Sequence, residues 1–158
     1  MLYLVCTMLR KALEARANGA RSFDFKNIML LPHDFSADAI KHPVTRSLME
    51  KTTFRHGGEE YDRRYPDGIP TSIQITGLGG REHDSGLIMY PTGHARNTTA
   101  NLQDILGHKF KMLAGLATGN DAAAAKELVS RYSTIAKKPA AAIFDIHNFD
   151  LVVRDRFE

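Results

Sequence analysis

In "LYLVCTMLRKALEAR", apolar side chains recur at Leu2, Val5, Leu9 and Leu13 with polar ones between them. That is the period of an amphipathic helix, and Asn18-Gly19 supplies its stop. The pattern starts at full hydrophobic strength with no polar lead-in, so Met1 is expected to lie inside a longer gene product. "DFSADAIKHPVTRSLMEKT" predicts two short helices, with Ser36 capping the first and Pro43 in the first turn of the second. "GGEEYDRRYPDGIP", dense in Gly, Pro and charge, predicts a loop of the kind that carries contacts. "TSIQIT", a β-branched alternating run, and "HDSGLIMY", a second apolar run, flank the glycine turn "GLGGR", which predicts a β-hairpin.

Helical spacing returns at Leu102, Ile105, Leu106, Phe110, Leu113 and Leu116. A further helix is expected in "NDAAAAKELVSRYSTIAKK", started by Asn120 or Asp121 and stopped before Pro139, and a shorter one between Ala140 and Glu158. Helices, then a hairpin, then helices predict an α+β fold: a small antiparallel sheet with helices packed on one face, followed by C-terminal helices.

A chain of 158 residues with 43% hydrophobic content can bury one core. Its single cysteine, Cys6, lies in an apolar run and reads as a buried small hydrophobe in a reducing compartment. The longest apolar stretch, Met1 to Leu9, is far shorter than the ~20 residues that span a bilayer. The net charge of +3, from 21 basic and 18 acidic residues, is dispersed. Its densest cationic points are the dipeptides Arg63-Arg64 and Lys137-Lys138, which argues against a nucleic-acid surface.

The chemistry-bearing stretch is "YPTGHARNTTANLQDILGHKF". Pro91 and Gly93 set an unusual backbone path that leads His94 and Arg96 toward the start of the next helix. A guanidinium, an imidazole and the free N–H groups of a helix end would together favour an anion. Thr98 and Thr99 could equally cap that helix and leave a plain turn. His108 sits within the helix, His83 in a strand, and His33, His42, His56 and His147 are scattered without metal-ligand spacing, so no zinc site is expected. Tyr61, Arg63, Arg64 and Tyr65 are candidate loop contacts or solvated side chains. "GLGGR" is not a dinucleotide loop, and no nucleophile elbow occurs.

"YPDGIPTSIQI" and "SGLIMYPTGHARNTTANLQDILGHKFKML" resemble the C-terminal third of the MmgE/PrpD family, in particular its 2-methylcitrate dehydratase branch of fungal mitochondria. "LYLVCTMLRKA" and "HPVTRSLMEKT" resemble further segments of it, and the likeness spans roughly residues 1–117. The resemblance implies a lyase of two parts, a large helical domain and an α+β lid that closes on a tricarboxylate. It implies no metal or organic cofactor, a homodimer, and a mitochondrial matrix or cytoplasmic setting in propionate metabolism. Residues 1–118 would form the lid, and 119–158 would return to the helical domain. His94 and Arg96, with Tyr90 and Gly93, match the lid motif and would face substrate carboxylates; His56, Arg63 and Arg64 are candidate loop contacts.

The family's acid and base residues would lie upstream of Met1, so this chain alone is expected to be inactive. Relatives decarboxylate cis-aconitate or epimerise an imino diacid. Two classes therefore stay open: part of a cofactor-independent lyase, or an independent binding module. A reading frame extending well upstream of Met1 separates them.

Overall fold

A computed structural model describes residues 1–22 and 24–149. Helix α1, Leu2–Ala17, ends where Asn18 caps it and Gly19 turns left-handed at φ +89°. Helix α2 is Phe25–Ile28, started by Asp24, whose carboxylate accepts the N–H groups of Lys26 and Asn27. A 3₁₀ turn, Pro32–Phe35, leads to α3, Ala37–Lys41, capped by Ser36 through the Ala39 N–H. Pro43 opens α4, Pro43–Glu50, where its missing N–H costs nothing.

The segment expected to be a loop is in fact a helix, α5, Gly58–Arg64. Its charges explain the difference. Glu59 and Glu60 lie in the first turn and Arg63 and Arg64 in the last, matching the helix dipole, and Glu60 pairs with both arginines one turn on. The predicted hairpin forms from β1, Gln74–Thr76, and β2, Glu82–Asp84, paired antiparallel with Ile75 opposite His83. All six of its residues are exposed.

Helix α6, Leu102–Ala117, and α7, Ala122–Ser133, form a tight pair. Between them Gly119 and Asn120 take positive φ, and Asp121, rather than Asn120, caps α7. The expected final helix is short: α8, Ala140–Ile143, passes into a 3₁₀ turn at Phe144–His147, and residues 150–158 lie outside the described residues. Tyr132 of α7 holds that turn through a 2.7 Å hydrogen bond to His147 Nδ1.

The fold is α+β. Helix α1 packs on α4 and α2, and α2 reaches α6, so two helix pairs are joined through one short helix. Among the described residues, Cys6, Met29, Ile105, Ala114, Leu128 and Ile146 are the buried apolar ones. Among the described residues no helix is long and apolar enough to cross a membrane.

Candidate functional site

The turn after β2 is built around Tyr90. Its ring stacks on the His94 imidazole, with centroids 4.9 Å apart and planes 20° from parallel. The Arg96 guanidinium lies over the same ring at 5.9 Å, and one of its nitrogens is 3.5 Å from the Tyr90 hydroxyl. Tyr90, His94 and Arg96 are thus brought side by side. The Tyr90 hydroxyl, and next the Asp67 carboxylate, raise the Arg96 pKa further above its ordinary value.

Main-chain bonds set the geometry. His94 N–H donates to Pro91 C=O at 2.8 Å, and Asn97 N–H to His94 C=O at 2.9 Å. His94 Nδ1 accepts the Arg96 N–H at 3.0 Å. An accepting Nδ1 carries no proton, so the imidazole presents Nε2–H as a donor.

Asn97, which sequence reasoning passed over, locks the turn. Its side-chain amide donates to Tyr90 C=O at 2.8 Å, and its Oδ1 accepts from Thr99 N–H, Thr99 hydroxyl and Ala100 N–H. An asparagine two residues before a threonine is a recognisable turn former. Asp67, also missed, lies 3.7 Å from Arg96 on an open surface.

Three expectations about this stretch change. Gly93 is not among the positive-φ glycines, and a Cβ there would meet open space, so the turn does not need glycine's freedom. Neither Thr98 nor Thr99 caps α6; Asn101 does, through the Asp104 N–H at 3.1 Å. Nor does the helix end converge with His94 and Arg96. It lines a separate open cleft with Lys26, His108 and Lys111, where Asp104 pairs with Lys26 at 2.7 Å. That pair lowers the Asp104 pKa and raises that of Lys26.

The three loop candidates are engaged on or beside α5. His56 Nδ1 accepts the Gly58 N–H, its Nε2 is 3.3 Å from Asp62, and its ring meets Tyr61 edge-on. Arg63 and Arg64 bind Glu60, whose pKa is lowered by the Arg64 hydrogen bond above all. Among the described residues no three His, Cys, Asp or Glu side chains gather as a metal would require.

A second charged cluster was not foreseen. Asp34 is buried, and its carboxylate takes Leu31 N–H at 2.8 Å, Lys11 at 2.9 Å and Arg10 at 3.5 Å. Burial pushes its pKa up, but the Leu31 N–H and Lys11 outweigh it and the net shift is downward. Tyr3 donates its hydroxyl to the Asp34 carbonyl, tying α1 to the same turn.

No family model, curated protein or solved structure matches the chain.

Proposed function

We propose that the chain is the C-terminal, lid-type part of a cofactor-independent 2-methylcitrate dehydratase. Residues 1–118 act as the lid over a tricarboxylate, residues 119–158 return to a helical domain, and the enzyme works as a homodimer in the mitochondrial matrix or the cytoplasm. One observation carries the reading: His94 and Arg96 stand together on one open turn, both braced by Tyr90. Arg96 offers a planar fork that matches a carboxylate at two points, and His94 adds a neutral donor beside it.

Dehydration requires removal of a carbon-bound proton and protonation of the departing hydroxyl, in a site closed to water. A lid that binds carboxylates supports both by completing the enclosure as it closes. The proton-transferring groups belong to the other domain, so the chain binds and does not turn over.

The test is a thermal-shift titration with 2-methylcitrate, citrate and cis-aconitate on the chain and on Arg96→Ala. A saturable stabilisation by at least one acid, abolished in Arg96→Ala, is expected. Equal shifts in both proteins, or none with any acid, overturn the reading. The second reading, an independent interaction module, is favoured by the exposed apolar residues Ile69, Ile73, Ile75 and Leu78 around the hairpin.

A further inference from the structure

Helix α1 runs antiparallel to α4: Cys6 meets Thr52 just past the end of α4, while Arg10 and Glu14 share a cleft with His42 at its start. Among the described residues, the buried side-chain nitrogen and oxygen atoms without a hydrogen-bond partner are Thr7 Oγ1, Arg10 Nε, His42 Nδ1 and Thr45 Oγ1. All of them lie on α1 or at the start of α4. Thr7 and Arg10 are three positions apart, and so are His42 and Thr45, so each pair shares one helix face. The antiparallel packing joins the two faces in one seam, with Arg10 and His42 toward the cleft and Thr7 and Thr45 one turn away from it.

Thr7 and Thr45 have no accessible surface. A buried hydroxyl without a partner has lost its water and gained no bond in return. The α6–α7 pair shows the alternative with the same residue type. Thr118 is buried just past the end of α6, and its hydroxyl donates to Ala114 C=O at 2.9 Å. Neither Thr7 nor Thr45 makes that bond back along its helix. One helix pair is closed with this hydroxyl bonded, and the other recovers hydration when it opens.

What holds α1 shut is concentrated at Asp34. Its carboxylate takes Lys11 and Arg10, and its main-chain carbonyl takes the Tyr3 hydroxyl. All three donors belong to α1. Gly19, left-handed just past the end of the helix, leaves open space where a Cβ would stand. Helix α2 has its own tie to α6 in the Lys26–Asp104 pair, so it can stay in place when α1 moves.

We infer that α1 is a releasable element, swinging off α4 as a unit while α6 and α7 stay folded, with Asp34 as the clasp that sets how often it does so. The ion pairs supply the closing force, and the unmet seam lowers the cost of opening. Moving elements are drawn from such low-stability contacts. The inference stands on α1 and α4 alone and does not require the substrate reading.

The test is native-state hydrogen exchange of the full chain, followed amide by amide by NMR. After correction for intrinsic rates, the amides of Leu9 to Leu13 are expected to exchange together, at least tenfold faster than those of Phe110 to Leu113. Leu128→Val, which loosens the α6–α7 pair, should speed the second group at least threefold and leave the first unchanged. Replacing both seam hydroxyls at constant shape, Thr7→Val with Thr45→Val, should slow α1 exchange at least tenfold. Asp34→Asn should speed it at least tenfold. Far-UV circular dichroism checks that each variant keeps its helices.

If α1 follows α6 in Leu128→Val, it leaves only with the whole fold and the inference is overturned. It is overturned as well if the double valine variant leaves α1 exchange unchanged or faster, because the hydroxyls then hold the helix instead of loosening it. An α1 indifferent to Asp34→Asn removes the clasp and with it the inference.

Discussion

Asp34 and Arg96 each meet a side chain of opposite charge, in very different surroundings. The Asp34 side chain retains 3% of its exposure and its partners Arg10 and Lys11 retain 12% and 17%. Arg96 retains 61% and Asp67 retains 81%. In the first cluster water is displaced: one carboxylate oxygen accepts hydrogen bonds from Lys11 and the Leu31 N–H, and the other pairs with Arg10 of α1. In the second the guanidinium is held in place mainly by an aromatic ring and a hydroxyl, and its carboxylate partner stands in water. A buried pair of this kind holds elements together; an open one is free to exchange its partner.

The largest effect that tests this contrast is Asp34→Ala. It leaves two cations and the Leu31 N–H without their acceptor, and should cost about 3 kcal/mol in chemical denaturation. The same carboxylate sets an acid limit. Its folded pKa is depressed, so its contribution is complete above the unfolded value, near 4, and is lost as pH falls through the folded value. A denaturation series from pH 7 to pH 2 should show this loss in the wild type and a flatter profile in Asp34→Asn.

Asn97→Ala comes next. It removes the acceptor of three donors in the Thr99–Ala100 turn and should cost about 1 kcal/mol, with tricarboxylate binding weakened because the His94–Arg96 turn loses its lock. Arg96→Ala should leave the denaturation midpoint unchanged within error while abolishing the tricarboxylate thermal shift. The smallest effect expected is Asp67→Asn. It leaves stability alone and tightens tricarboxylate binding a few-fold by calorimetry, because the incoming carboxylate no longer competes with one already beside Arg96. Should Arg96→Ala destabilise as much as Asp34→Ala, the distinction between the two clusters fails.

Helices α1 and α6 were legible because their apolar residues keep a 3.6-residue period, and α3 and α4 because Ser36 and Pro43 mark their starts; the four-residue α2, Phe25–Ile28, is too short to show a period and was not. Helix α5 was not, because its cue was charge order instead of apolar period: "EEYDRR" has no hydrophobic stripe, yet its acids lead and its bases follow. The grouping of Tyr90, His94 and Arg96 was partly legible, since all lie within seven residues. Asp67 approaches Arg96 because Gly68 packs against Met89, where a Cβ would come within 2.7 Å of the Met89 carbonyl oxygen. That contact spans 21 positions and leaves no local pattern. Asp34 escaped for the same reason, since its partners sit on a helix more than 20 residues earlier.

Cys6 has no accessible surface, and its thiol faces the Thr52 hydroxyl at 3.6 Å, just beyond the end of α4. The chain therefore carries its own clock for local opening. A thiol reagent added to the native protein can react only when α1 and α4 part, so the labelling rate in excess reagent reads the frequency of that parting, residue by residue specific and without any added probe.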